Sequence, residues 1–186
     1  MDNLAATYSA LVRHEDALAM KESALEFRRR VLPPDHPAIG RSMNNLAISY
    51  SHFVLHEDAL AMQESALEFR RRVLPPDHPE IGTSMNSLAF TYGDLGRHED
   101  ALAMQESALE FRRRVLPSGH PDIAVSLYNI SFSYERAGDM RRATDCAREA
   151  VVIRQAALPP GHPRLKAAEE NVRDLERKNH RPCVCQ

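Results

Sequence analysis

The sequence contains no tryptophan, three cysteines and almost no net charge. Scarce cysteine gives no disulfide framework and suits a reducing compartment. A formal charge of −2 creates no global field that would favour nucleic acid or an anionic membrane. No apolar run reaches the roughly 18 residues that a membrane span needs. The first residues lack the basic and apolar regions of a secretory signal, so we expect a cytoplasmic protein.

Motifs that carry chemistry are also missing. The sequence has no glycine-rich phosphate loop and no constellation of paired acids. His36, His78, His120 and His162 lie a full repeat apart, which indicates linker residues rather than metal ligands. Cys146 stands where other repeats carry a methionine, which predicts an inert core thiol. We therefore expect no catalytic residue, no metal and no cofactor.

The sequence repeats itself. The phrase HEDALAM-x-ESALEFRRRVLP begins at His14, His56 and His98, and a looser version follows. His-Pro pairs keep the same step of about 42 residues, and a fixed period of this size is typical of a solenoid whose units stack on their neighbours. Solenoids present extended surfaces to partners and seldom form a convergent catalytic pocket.

Each repeat predicts two helices. A first helix should start near Pro37, because proline suits the first turn and the preceding histidine suits a capping position. Its buried face should carry Met43, Leu46, Ala47 and Tyr50, which recur at steps of three and four.

A second helix should begin at the acids Glu57 and Asp58 and end in the arginines before Pro75. Its predicted buried stripe is Ala59, Leu60, Met62, Ala66, Leu67, Phe69 and Val73. No strand-like alternation occurs, so the predicted fold class is all-α.

These residues resemble the tetratricopeptide repeat (TPR). Leu46-Ala47, Tyr50, Ala59 and Ala66 fall where that family places Leu-Gly/Ala, Tyr, Ala and Ala. The usual TPR unit has about 34 residues. The longer second helix and the LPPDHP linker are similar to the kinesin light chain subclass, whose step is also about 42 residues. The resemblance implies a right-handed α-α superhelix of about four helix hairpins plus a C-terminal capping helix.

The predicted array covers residues 1–180, with units at approximately 1–36, 37–78, 79–120 and 121–162 and a capping helix at 163–179. We expect the tail, residues 181–186, to be disordered. Its last four residues also fit a C-a-a-X prenylation box at Cys183. Oxidation or soft-metal binding by Cys183 and Cys185 is a further reading of the tail.

In the family, the first helix of each hairpin lines a concave groove. By position, the resemblance assigns peptide binding to Asn3, Arg41, Asn44, Asn45, Ile48, Ser51, His52, Asn86, Phe90, Tyr128, Asn129 and Phe132. Asn3, Asn45 and Asn129 share one repeat position, and an amide both donates to and accepts from the backbone of an extended peptide. The alternative interpretation is that these asparagines are solvated or cap neighbouring helices.

The predicted function is therefore a non-catalytic scaffold or adaptor that binds a peptide segment of a partner protein. The alternative is a structural array that self-associates into a homo-oligomer. The arginine triplets, such as Arg70 to Arg72, raise a third reading, a stripe for phosphates or an acidic partner. Each triplet has a glutamate at i,i+4, as in Glu68 and Arg72, that offers an internal partner. We therefore expect no nucleic-acid partner.

Overall fold

A computed structural model describes residues 14–179, and the regular secondary structure of this part of the chain is all helix. Its eight helices are α1 (His14–Val31), α2 (Pro37–His52), α3 (His56–Val73), α4 (Pro79–Asp94), α5 (His98–Val115), α6 (Pro121–Arg136), α7 (Met140–Ala157) and α8 (Pro163–Asn179). The predicted all-α fold class is confirmed. Asn3, Cys183 and Cys185, on which predictions fell, lie outside the described residues.

The described residues form two compact units, one that ends at Arg97 and one that begins at His98. In the first unit, α1 packs on α2, α2 on α3 and α3 on α4, and α2 also contacts α4. In the second unit, α5 packs on α6, α6 on α7 and α7 on α8. Within each unit, every helix thus lies against its sequence neighbour, as the repeat predicts.

The His-Pro pairs start helices. Pro37, Pro79 and Pro121 each occupy the first turn, and the preceding histidine is extended, as at His78 with φ −71° and ψ 127°. The His78 Nδ1 accepts a hydrogen bond from the backbone N–H of Glu80 at 3.2 Å. The same bond recurs at His36, His120 and His162. These side chains therefore satisfy backbone donors that a helix N-terminus leaves unpaired.

Alanines allow the helices to approach closely. Ala47, Ala59 and Ala66 are fully buried, in agreement with the predicted stripe. In the first unit the core gathers Leu25, Ile39, Met43, Leu46 and Ala66, with Leu18, Tyr50, Met62 and Phe69 packed around it. In the second unit it gathers Leu109, Ile123, Ala124, Leu127, Ile130, Tyr134, Ala143, Ala147, Ala150, Ile153 and Leu175.

The final helix closes the second unit with a polar outer face. Helix α8 buries Leu165, Ala168, Asn171 and Leu175 and packs on α7. At the repeat positions where α2 has Gly40, Met43 and Ala47, α8 instead has Lys166, Glu169 and Arg173. Charged side chains on this face keep it solvated, which is what a terminal repeat needs.

The first arginine of each triplet is not part of an exposed stripe. Arg70 is buried, and its Nη1 donates to the Oγ of Ser84 at 2.6 Å and to the carbonyl of Glu80 at 3.3 Å. Arg112 is likewise buried and donates to the Oγ of Ser126 at 2.8 Å and the carbonyl of Asp122 at 3.1 Å. Each guanidinium thus joins the end of one hairpin to the first turn of the next.

The same contact occurs at both ends of the described chain. Arg28 donates to the Oγ of Ser42, and Arg154 donates to the carbonyl of Arg164 at 2.8 Å. Desolvation lowers the pKa of Arg70, Arg112 and Arg154. They nevertheless stay charged, because arginine is effectively always protonated in proteins.

The exposed Arg72 pairs with a carboxylate other than the one expected. Arg72 forms an ion pair with Asp35, with 3.6 Å between Nη2 and Oδ1, rather than with Glu68 at i,i+4. Its guanidinium also lies over the Phe69 ring, 5.3 Å from the centroid. In each triplet the first arginine is buried or, for Arg28, half-buried, and the other two face solvent.

One hairpin turn contains a strained residue. The turns from α2 to α3, from α4 to α5 and from α6 to α7 share one hydrogen bond. In each, a backbone N–H donates to the carbonyl five residues earlier, as Leu55 does to Tyr50 at 2.9 Å. The residue before the donor has positive φ in each turn, namely Val54 (62°), Gly96 (74°) and Gly138 (82°). Glycine is the usual residue for this left-handed position, whereas a β-branched residue is an outlier there.

We predict that Arg70→Ala lowers the free energy of unfolding by about 3 kcal/mol, because it removes charged hydrogen bonds and buried packing together. Arg71→Ala, which removes an exposed arginine next to it, should change stability by less than about 0.5 kcal/mol. Chemical denaturation of the three proteins measures both values, and equal effects of the two substitutions would contradict a structural role for Arg70.

We predict that Val54→Gly raises the free energy of unfolding by about 1 kcal/mol, because it relieves the left-handed strain of an exposed valine. The reverse change, Gly96→Val, should lower stability by a similar amount. Thermal unfolding, monitored by circular dichroism, compares the stability of the variants. A Val54→Gly protein that melts below the wild type would show that the turn is not strained.

Candidate functional site

Helix α2 presents one exposed polar and apolar face. Arg41, Asn45, Ile48 and His52 are exposed and follow one another at i, i+4, i+7 and i+11, which is a single side of a helix. Ser51 lies beside them and is half-buried. Residues on the opposite side of the helix, such as Met43, are buried in the core.

Helix α4 repeats this face with different side chains. Thr83, Ser87, Phe90 and Asp94 occupy the same repeat positions, and all but the half-buried Ser87 are exposed. Because α2 and α4 pack side by side within the first unit, their two faces lie on adjacent helices. We call the eight residues Arg41, Asn45, Ile48, His52, Thr83, Ser87, Phe90 and Asp94 the α2–α4 stripe.

Helix α6 carries the corresponding face in the second unit. Asn129 is half-buried, whereas Phe132 and Arg136 are exposed. The Phe132 ring meets the Tyr128 ring edge to face, with centroids 5.0 Å apart and planes at 78°. We call Asn129, Phe132 and Arg136 the α6 stripe.

Three predicted groove residues share the repeat position that precedes Asn45, Ser87 and Asn129. Asn44 and Asn86 are each only 9 % exposed. Tyr128 occupies the same repeat position. Its side chain points toward α7, since the Arg154 guanidinium lies 4.4 Å from the Tyr128 ring centroid. Arg154 in turn donates to the first turn of α8. Tyr128 therefore contacts both α7 and Phe132 of the α6 stripe, whereas Asn44 and Asn86 are buried and do not extend the exposed stripes.

The repeated asparagine has more than one role. Asn171 of α8 shares the repeat position of Asn45 and Asn129, which the sequence reading missed. Asn171 is buried, and its Nδ2 donates to the Oγ of Ser131 at 2.9 Å. Asn45 instead leaves its side chain exposed. Among the described residues, Asn45 in the first unit and Asn129 in the second remain as the candidate peptide-binding amides of this repeat position.

Hydroxyl and thiol groups that titrate abnormally are held in their neutral forms. Burial raises the pKa of Cys146 to about 11. Burial and a hydrogen bond to Glu22 raise the pKa of Tyr50 to about 12, and burial and Glu106 do the same for Tyr134. A thiol or phenol with a raised pKa is a poorer nucleophile at neutral pH, because its anion is scarcer.

One histidine pair has a spacing that also suits metal binding. His52 and His56 are separated by three residues, but they lie on α2 and α3 respectively, on either side of the turn. The Nδ1 of His56 is 3.9 Å from the Oδ2 of Asp94. Between residues 14 and 179, no group of three or more histidine, cysteine, aspartate or glutamate side chains is arranged to hold a metal ion. In the same range, no helix is long and apolar enough to cross a membrane.

The chain matches a model of a known protein family. The tetratricopeptide repeat model matches residues 1–72, 55–114 and 80–156. No curated protein sequence matches the chain.

Solved structures share the fold over nearly the whole chain. A putative kinesin light chain from Podosopora anserina with nearly identical TPR-like repeats is 22 % identical, with a TM-score of 0.80 over 96 % of this chain and 84 % of that one. BtubC (BKLC) from P. vanneervenii is 23 % identical, with a TM-score of 0.84 over 95 % of this chain and 70 % of that one. A Rap protein complexed with competence and sporulation factor is 18 % identical, with a TM-score of 0.68 over 94 % of this chain and 47 % of that one.

Proposed function

The chain belongs to the tetratricopeptide repeat family, and from that premise we propose that it is a non-catalytic scaffold in which the exposed stripe of each unit holds a segment of a partner protein. The observation that carries this proposal is the recurrence of exposed apolar side chains at one repeat position. Ile48, Phe90 and Phe132 are 38 %, 55 % and 40 % exposed, although each helix buries its opposite side. Exposed apolar residues that recur at one repeat position suit binding.

The neighbouring polar groups suit a polypeptide ligand. Asn45 and Asn129 each offer a donor and an acceptor one turn before an exposed apolar residue. An extended segment presents backbone N–H and C=O groups together with side chains, so it engages both kinds of contact. Arg41, Asp94 and Arg136 give the stripes mixed charge, which favours no acidic or basic segment in particular.

A protein of the same fold supports the proposal. The Rap protein structure is a complex with competence and sporulation factor, and the likeness covers 94 % of this chain and 47 % of the Rap chain. We extend the binding of a partner to this chain, in the cytoplasm, and leave the partner's sequence open.

Self-association is the second candidate function. Val152 on α7 is 64 % exposed and stands where the earlier repeats carry Glu68 and Glu110. With Val151 and Val172 it lines a cleft of about 390 Å³ between α7 and α8. An exposed apolar residue in place of a charged one favours contact with a second copy of the chain.

We predict that Phe90→Ala weakens binding to peptides selected from a random-sequence array by at least about tenfold, because burial of a phenylalanine contributes about 1.5–3 kcal/mol. Asn45→Ala should weaken binding about three- to tenfold through the loss of its hydrogen bonds. Fluorescence anisotropy with the selected peptides measures both effects.

Phe27→Ala is the matched control, since Phe27 is an exposed phenylalanine on α1, outside both stripes. This variant should bind like the wild type. Selected peptides that bind all four proteins equally would refute the stripe as the site. Light scattering in the same buffer separates the two candidates, since the scaffold binds its segment as a monomer and the self-associating array gains mass with concentration.

A further inference from the structure

The side of α2 that faces away from the α2–α4 stripe borders a cleft of about 390 Å³ within the first unit. Its floor is apolar and consists of Ile39 and Met43 from α2 and Phe69 from α3. Arg29 from α1 and Arg72 from α3 line its walls. The cleft thus combines an apolar floor with two cationic side chains.

The two guanidiniums are available to a ligand. Arg72 is placed by the Phe69 ring, and its pair with Asp35 joins side chains that are 65 % and 74 % exposed. Exposed pairs of this kind contribute little and are readily exchanged. Among the residues that the structure describes, no carboxylate lies within ion-pair distance of Arg29. Glu68 is the single acidic residue in the lining.

The second unit shows what this arginine position binds. Two repeats after Arg29 and Ser65 the chain has Arg113 and Glu149. There the Nη2 of Arg113 lies 2.5 Å from the Oε2 of Glu149, so α5 and α7 are joined by a charge-assisted hydrogen bond. The chain therefore supplies its own carboxylate to the guanidinium in the second unit.

The first unit lacks that carboxylate. Ser65 stands at the position of Glu149, on the wall of the cleft, and its short neutral side chain leaves Arg29 without an acidic partner. The second unit also has Ala156 where the first has Arg72. The first unit in turn has Glu68 where the second has Val152, so each set of positions holds one acidic residue, and the first unit has one more cation, Arg72.

We propose that this cleft binds an acidic segment of a partner protein, with one apolar side chain on Ile39, Met43 and Phe69 and flanking carboxylates on Arg29 and Arg72. The carboxylate of Glu149 on Arg113 is the internal copy of that contact. A protein segment fits better than a nucleic acid, because the apolar floor rewards an aliphatic or aromatic side chain beside the charge. This surface is separate from the exposed stripes and does not depend on their function.

The probe is a set of short labelled peptides with blocked ends, each holding one leucine or phenylalanine among glutamates, and a matched set with glutamine in place of glutamate. Fluorescence anisotropy with the full chain at low salt should show binding of the glutamate set and at least about tenfold weaker binding of the glutamine set. The affinity should fall as salt is added, because the contacts are exposed and ionic.

Ser65→Glu gives Arg29 the internal partner that Arg113 has in the second unit, so it should weaken the glutamate peptides at least about tenfold. Arg29→Gln should have the same effect by removing the cation. Arg30→Gln is the matched control, because Arg30 neighbours Arg29 but lies over the Phe27 ring, outside the cleft lining. Asn45→Ala should also leave these peptides bound.

Equal binding of the two peptide sets would overturn the proposal, as would wild-type affinity in both Ser65→Glu and Arg29→Gln. A single-stranded oligonucleotide that binds in place of the peptides and is lost in these variants would assign the cleft to phosphates and overturn it as well. Thermal melting confirms that each variant is folded. If Ser65→Glu lowers the melting temperature, Arg29→Gln, which alters an exposed side chain, decides the outcome.

Discussion

The arrangement of this protein depends on a buried guanidinium that ties each hairpin to the helix that follows it. Arg70 and Arg112 leave water to reach a serine hydroxyl and a backbone carbonyl in the first turn of the next helix. Burial of a charge is costly unless its hydrogen bonds are made. A helix shifted along its neighbour would break both bonds at once. The contact therefore fixes where α4 and α6 begin, and with them the faces that they expose.

Both candidate surfaces follow from that placement within the first unit. Once the start of α4 is fixed against α3, its face with Phe90 lies beside the face of α2 with Ile48. The other side of α2 contributes Ile39 and Met43 to the cleft between α1 and α3. Helix α2 thus contributes to two surfaces, the α2–α4 stripe on one side and the cleft on the other, because its neighbours leave both of these sides uncovered.

Much of the fold was predictable because local chemistry determines it. Proline and histidine at fixed positions start α2, α4 and α6, and the alanines at 47, 59 and 66 lie where close helix contact requires them. The burial of Arg70 was not predictable, since a sequence shows a charge but not the serine that will receive its hydrogen bond. Neither was the burial of Asn44, because one residue along a helix is a rotation of about 100° and separates an exposed side chain from a covered one. The stripes around Asn45 and Phe90 remain a prediction that binding experiments must test.

The most direct test of the guanidinium contact is a double-mutant cycle on Arg112 and Ser126, since both side chains are buried within the second unit. The free energy of unfolding of wild type, Arg112→Ala, Ser126→Ala and the double variant isolates the energy of the pair from that of each side chain. If the contact holds the hairpins in register, the coupling should be about 1–3 kcal/mol. A coupling indistinguishable from zero would show that the guanidinium and the hydroxyl are neighbours without holding the hairpins together.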